Sequence, residues 1–532
     1  MLDLNQIDEY FPMKQYRPGQ RECIETILTH FNNGCKTIIL EAPTGSGKSA
    51  IGYTIAQFFR DSYYITPVKV LQDQLSVDFS ETDKHIKTTP MIELKGRNAY
   101  ICKYPEEFGG KPISTTYCDD GECHRQGESK LDCCMEKRIC LYYNQVYKAM
   151  ESKICLMNFS SFLFQTMLPM RFGKRELLII DEGHETEDTL MKFVEISISD
   201  FILHKNGIIL PQKETVQEYL NYFDEIDLVG ILGRKVQEAK LDNNIKLEND
   251  LNKILMNLRI LRKLDLQYWI SEYKVNKNNT HTVSLKPLFI DEFAKQYVFN
   301  LAEHILIMSA TILNKKVICN SLGINQDESK FIAVGSYFPK ENRPIYYKPS
   351  GSMSFKNKVN TIPILLKDVE KICNEHNNER GIIHTHNFEI ANYILENCSK
   401  KLKDRLIFQK DLGINDDKKI MLQLHSQKSD SILIAPAMHI GLDLKDDLGR
   451  FQIICKVPYP SLADKQIAAR LEIDHDFYDY RVALKISQCY GRIIRHQDDY
   501  GKTYILDQDF RWFYKKSSNM LPKWFTEAII WQ

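Results

Sequence analysis

Thr37-Ile38-Ile39-Leu40-Glu41-Ala42-Pro43-Thr44-Gly45-Ser46-Gly47-Lys48-Ser49 is the stretch that decides the fold. Thr37–Leu40 is a short apolar run, the pattern of a strand buried on both faces. Ala42–Ser49 follows it and leads into a helical pattern. A glycine-rich turn between a strand and a helix lets backbone N–H groups point inward at an anion, and the helix N-terminus adds favourable potential there. In such a phosphate loop Thr44, Gly45, Ser46 and Gly47 cradle the phosphates of ATP. Lys48 reaches the β- and γ-phosphates, and the Ser49 hydroxyl holds Mg²⁺. Ala42 stands where the strict motif has glycine, so the strand–loop–helix setting carries the assignment.

Five more runs repeat the strand pattern: Leu177–Ile180, Ile305–Met308, Gly381–His384, Ser431–Ile434 and Tyr504–Leu506. Helix-like stretches separate them, which makes the class α/β with parallel sheets. With 532 residues the chain is too long for one core, so two or more domains are expected. The proline-containing, charged stretch from Lys340 to Pro349 reads as the linker between two sheets. Two regions break the alternation. One is a cysteine-rich segment, 97–150. The other, 190–295, has no Gly and no Pro from Arg234 to Lys286 and places Leu251, Ile254, Leu255, Leu258 and Leu261 at helical spacing, so it reads as a helical insertion.

Asp181-Glu182-Gly183-His184 follows the run 177–180. An acid at the end of a buried strand can hold Mg²⁺ opposite a phosphate loop, and the next acid can orient the attacking water. Taken alone such acids are more often helix caps; the phosphate loop upstream gives them their meaning. Ser309-Ala310-Thr311 also follows a strand. In Gln488-Cys489-Tyr490-Gly491-Arg492-Ile493-Ile494-Arg495 the two arginines lie three apart, which on a helix is one face. They are candidates to neutralise charge on a transferring phosphoryl group; the plain alternative is a solvated basic face.

Lys+Arg and Asp+Glu are both 70, so there is no overall basic excess, and any nucleic-acid groove must be local. No run of 18 apolar residues occurs, and Met1–Asn5 has no basic or apolar signal character, so a reducing, cytoplasmic or nucleoid-associated setting without membrane contact is expected. Fourteen cysteines are many for such a setting, and six of them, Cys102, Cys118, Cys123, Cys133, Cys134 and Cys140, share one segment. Only Cys118 and Cys123 have a zinc-like C-x₄-C spacing, and iron–sulfur clusters also take four thiolates, so spacing leaves both open.

The ordered set of motifs resembles the XPD/DinG group of superfamily-two iron–sulfur DNA helicases over nearly the whole chain. Tyr16-Arg17-Pro18-Gly19-Gln20 resembles the adenine-contacting element, which implies Arg17 and Gln20 at the base. Thr66-Pro67 with Leu71–Gln74 is similar to motif Ia. Gly96–Cys102 and Cys140–Tyr143 resemble the two ends of the cluster domain, and Asn158-Phe159-Ser160 follows as in the family. Ser309–Thr311, Arg380–His386, Gly441–Leu444 and Gln488–Arg495 are similar to motifs III, IV, V and VI; Ile440 departs from the glutamate usual before motif V.

The resemblance implies two RecA-like parallel-sheet domains with an ATP cleft, an Fe–S insertion and a helical arch insertion in the first. The parts are 1–96, 151–189 and 296–345 for the first domain, 97–150 for the cluster, 190–295 for the arch and 346–532 for the second domain. It implies Glu182, Gln488, Arg492 and Arg495 as catalytic, Asp443 at the nucleotide, and Asp181 with Ser49 at Mg²⁺. It implies a [4Fe–4S] cluster on Cys102, Cys123, Cys133 and Cys140, with Cys123 chosen over Cys118 and Cys133 over Cys134. The activity it implies is ATP-driven 5′ to 3′ movement on single-stranded DNA by a monomeric motor, acting at forks or overhangs. A translocase that strips proteins without unwinding, and a redox-responsive nucleic-acid binding module, are the alternatives.

Overall fold

The computed structural model describes the chain except residues 68, 80–87, 104–116, 120, 122–138, 168–171, 243, 337, 409–416, 437–443 and 497. Seventeen strands are formed among the described residues. In chain order the first five are β1 (Thr37–Glu41), β2 (Ser62–Thr66), β3 (Met91–Leu94), β4 (Ile154–Asn158) and β5 (Arg175–Ile180). Next come β6 (Ile196–Ser199), β7 (Trp269–Val275) and β8 (His281–Pro287), and then β9 (Ala302–Ser309) and β10 (Ser329–Ala333). The last seven are β11 (Ile345–Gly351), β12 (Gly381–His384), β13 (Leu406–Phe408), β14 (Ile432–Ala435), β15 (Phe451–Ile454), β16 (Lys502–Asp507) and β17 (Ile529–Trp531).

The first sheet runs β10-β1-β9-β5-β2-β4-β3 and the second β13-β14-β12-β15-β16-β11-β17. The pairs β2–β4, β2–β5, β3–β4 and β5–β9, and all six pairs of the second sheet, are parallel. Parallel strands need covering on both faces, and β1, β2, β4, β12, β14 and β15 are buried along their whole length. These are two RecA-like parallel-sheet folds, and every run read as a strand from the sequence is one.

The chain forms two compact units: Met1–Leu40, Ser49–Ser309 and Ile318–Ile332 make the first, and Glu41–Lys48, Ala310–Val317 and Ala333–Gln532 the second. In the first, the buried Arg175 guanidinium donates to the carbonyls of Ser62, Ala149, Met150 and Ser152. In the second, Arg405 likewise collects the carbonyls of Cys373, His376, Glu379 and Asp430. In each unit one planar five-donor group thus closes a helix end, where backbone oxygens have no further partner in the helix.

Two expectations are corrected. Ile345–Pro349 is not linker: it lies in β11, between β16 and β17. Pro349 is tolerated because the register against β16 shifts between Tyr347 and Gly351, where a ladder N–H is not needed. The 190–295 region is not purely helical either. The helix Ile245–Leu261 carries the predicted leucine stripe, but β6, β8 and β7 form an antiparallel sheet beside it. Leu251, Leu258 and Leu261 pack with Ile196, Ile198, Val283 and Leu285, so the insertion folds round a core of its own. Among the described residues no helix is long and apolar enough to cross a membrane.

Candidate active site

β1 ends in the phosphate loop, and the helix Lys48–Gln57 leaves it. Gly45 and Gly47 have φ of +83° and +80°, which side-chain-bearing residues avoid, and this turns the loop amides inward. Gly45 also has no room for a Cβ: within the second unit, the Arg495 carbonyl oxygen would lie 2.5 Å from it. Lys48 Nζ donates to the Ala42 carbonyl at 3.1 Å, folded back on its own loop. Among the described residues the buried Ser46 hydroxyl has no hydrogen-bond partner. A cationic amine resting on a loop carbonyl, a buried hydroxyl in want of a partner and two inward-turning glycines fit the phosphates of a nucleotide. Thr44 and Ser49 are half-buried on either side of the loop.

The acid tetrapeptide follows β5. Asp181 is buried, and its Oδ1 accepts the Glu182 N–H at 2.9 Å. Glu182 takes a left-handed turn, φ 49°, and its carboxylate keeps about a third of its surface open. Burial, with the Asp181 and Glu182 carboxylates, pushes the neighbouring Tyr64 hydroxyl well above its ordinary range. Gly183 is required where it stands, because a Cβ would meet Ile307 Cγ2 at 2.2 Å. His184 Nδ1 shares a 2.7 Å hydrogen bond with Ser309 Oγ and lies 3.4 Å from Glu182 Oε2. Ser309, weak as a sequence signal, is therefore tied to the acids through the imidazole.

Gln488 sits in the last turn of the helix His475–Tyr490, but Arg492 and Arg495 do not share a helix face. The helix stops at Gly491, and Ile493 and Ile494 turn into the core, which reverses the local pattern. Asp499 places Arg495 instead: its Oδ2 accepts the Arg495 N–H at 3.1 Å and its Oδ1 the Arg450 guanidinium at 2.8 Å. Asp446, His496 and Asp499 bring ligand-type atoms within 4.8 Å of one another. Asp499 is already saturated by Arg450 and by the amides of Arg495, Asp446 and Tyr500, so the group is a brace. Neither it nor Arg450 carried a sequence signal.

Gln20 is buried, and its Oε1 accepts the Arg17 N–H at 2.9 Å, so the two are held on one turn before the helix Gln20–Asn32. Gln72 is fully buried; its Oε1 accepts from Asn158 at 3.0 Å, which joins the two motifs that carry them. Asp443 and Ile440 lie outside the described residues, as do Cys123, Cys133 and Cys134.

Three thiols of the cysteine segment come together. The Cys118 N–H donates to the Tyr100 carbonyl at 2.7 Å, and Ile101 bridges Tyr117, which brings Cys118 beside Cys102. Hydrogen bonds of Cys118 with Cys102 and Cys140 push its own thiol up. The Cys140 thiol is pulled down to about 6, first by Cys118, then by the Tyr143 and Tyr142 amides at the start of the helix Leu141–Glu151 and by the Arg97 charge. Gly121 lies against this group, since a Cβ there would meet Cys102 Sγ at 3.1 Å. Thiols that stabilise a neighbouring thiolate suit a thiolate-ligated metal group. Cys118, set aside in favour of Cys123 on the sequence, lies beside Cys102 and Cys140, and Cys123 is outside the described residues.

The chain is similar to known helicases. The sequence profile of the helicase C-terminal domain matches residues 369–528, and that of the res subunit of type III restriction enzymes matches 13–223. A probable ATP-dependent helicase of Methanocaldococcus jannaschii is 21% identical over 95% of this chain and 93% of its own. The XPD helicase subunit of the general transcription and DNA repair factor IIH of Dictyostelium discoideum is 33% identical, over 16% of this chain and 12% of its own. A solved XPD helicase structure superposes with a TM-score of 0.66 at 15% identity, covering 98% of this chain and 100% of that one. By these matches the chain is an ATP-hydrolysing helicase, similar in fold to the XPD helicase of superfamily two.

Proposed function

We propose that this protein is a DNA helicase that moves along single-stranded DNA from 5′ to 3′ and carries a [4Fe–4S] cluster. The observation that carries the cluster, and with it the strand-separating branch of the family, is the convergence of Cys102, Cys118 and Cys140. The fourth ligand comes from Cys133, with Cys123 and Cys134 as the other candidates in the intervening segment. In the chemistry, Lys48 leaves the Ala42 carbonyl for the β- and γ-phosphates, and the loop amides take up phosphate charge. Asp181 and Ser49 would hold Mg²⁺, which would supply positive charge against the phosphates when bound. Glu182, more open than Asp181, orients the attacking water, and Arg492 and Arg495 neutralise the charge that develops on the transferring phosphoryl group. Gln488 positions that segment. The cluster would cross-link the parts of the chain that carry its cysteines.

The test pairs an ATPase assay with strand displacement on duplexes bearing one tail. Single-stranded DNA is expected to stimulate hydrolysis, and a 5′-tailed duplex to open. Unwinding only from a 3′ tail reverses the polarity. Stimulated hydrolysis with no unwinding of any substrate selects the protein-stripping translocase. Hydrolysis indifferent to DNA and RNA overturns the nucleic-acid motor.

A further inference from the structure

Glu41 has no part in the chemistry above, yet it is 7% exposed and ends β1, one residue before the phosphate loop. Its Oε2 accepts the Ile312 N–H at 2.8 Å and the Leu313 N–H at 2.5 Å. Burial pushes this carboxyl up, and the two amides pull it down. A buried carboxylate costs free energy unless it is hydrogen-bonded, so a corner that needed only to be filled would use an apolar group. Leu313 itself is left-handed, φ 64°, a conformation that strains a branched side chain and turns consecutive amides onto one acceptor.

The segment so held is anchored at both ends as well. It begins at Ser309, hydrogen-bonded to His184, and ends at Asn314, whose Oδ1 caps the helix Lys315–Leu322 at the Val317 N–H. The acid tetrapeptide is hydrogen-bonded to Ser309, and the residues that follow Ser309 are hydrogen-bonded to Glu41 at the end of the phosphate-loop strand. A strained turn held by one charged side chain is the point at which such a chain of contacts can be made or broken as a unit.

We propose that Glu41 is a positioning residue that couples the phosphate loop to the segment 309–314, so that displacement of the loop on nucleotide exchange is passed through Ser309 to His184 beside Glu182. This rests on the roles given above to the phosphate loop and to Glu182. In the full chain, Glu41→Ala is expected to leave the KM for ATP within about twofold while the DNA-stimulated kcat falls about tenfold. The number of base pairs opened per ATP falls with it. Glu41→Gln recovers most of that ratio, because one amide carbonyl oxygen can accept both N–H groups. Equal loss in both variants, or an unchanged ratio in Glu41→Ala, overturns the proposal. Should Glu41→Ala not fold, Glu41→Asp draws the carboxylate back from both amides; a lowered ratio supports the coupling and an unchanged ratio overturns it. Absence of any DNA stimulation in the unaltered chain overturns the motor itself, and Glu41's role with it.

Discussion

At the scale of single residues, Lys48 is where hydrolysis is most exposed to one change. Its amine rests on the Ala42 carbonyl, so removing it leaves the loop fold intact and takes away the only mobile cation of the turn. Lys48→Ala should cut the ATPase rate by on the order of a hundredfold or more while single-strand affinity stays within a few-fold, because the lysine serves the phosphates and not the strand. Steady-state hydrolysis beside fluorescence anisotropy reads both; a variant that hydrolyses normally removes the phosphate-loop assignment. His384, at the end of β12, carries a pH dependence. Full burial, and then the Arg492 charge, push its imidazole down to about 3. The folded chain therefore holds it neutral while the unfolded chain protonates it. Its contribution is complete above the ordinary histidine value of 6.5 and is lost as pH falls towards about 3. Going from pH of about 7 to about 5 should cost about 2 kcal/mol of unfolding free energy through this group. His384→Gln should flatten that part of the urea-denaturation profile; an equal slope in both proteins refutes it.

At the scale of elements, Arg175 shows why one residue can decide a helix end. It caps the carbonyls at the close of the helix Leu141–Glu151, the helix that starts at Cys140, and stacks over Tyr63 at 4.7 Å. Arg175→Met keeps much of the packing but leaves buried carbonyls without donors, and should cost about 3 kcal/mol, read as a lower urea midpoint. A change within a few tenths of a kcal/mol would mean that water replaces the guanidinium. No sequence pattern announces this arginine, and the same holds for Arg405, since their partners are backbone atoms far along the chain, and for Asp499, whose charged partner Arg450 is 49 residues away. The sheets were legible because burial on both faces writes a continuous apolar run. β11 was not, because a strand that accommodates Pro349 at a register shift looks like a linker. The strands β6 to β8 were hidden by polar residues such as Glu272, Lys274 and Lys286 on a small sheet that is open on one side. The arginine pair was misread for a related reason: three-residue spacing implies a shared face only if the helix continues, and Gly491 ends it. The place of Cys118 beside Cys102 was not legible, because spacing along the chain says nothing about which thiols a bridge between Ile101 and Tyr117 brings together.

At the scale of the whole molecule, the order of the first sheet separates two functions. The phosphate loop springs from β1, and the cysteine segment hangs between β3 and the helix Leu141–Glu151. From β1 to β3 the sheet passes through β9, β5, β2 and β4, which at about 4.8 Å per step puts the two strands about 24 Å apart. Perturbing the thiols should therefore leave nucleotide binding nearly unchanged and act on strand separation. Cys102→Ser, Cys118→Ser and Cys140→Ser should each lose iron, from about four atoms per chain to less than about one, with the brown colour. Unwinding should fall by at least about tenfold while the affinity for a fluorescent ATP analogue stays within about twofold. Of these, Cys118→Ser is the most telling, because the sequence alone assigns it no part and the structure sets it between the other two. Full iron and normal unwinding in Cys118→Ser, with loss in Cys123→Ser, would return the ligand to Cys123. Stoichiometric zinc without iron in protein purified without oxygen would replace the cluster by a structural zinc site. Loss of nucleotide binding together with iron would mean that the segment supports the whole sheet, and that the far edge is not independent of β1.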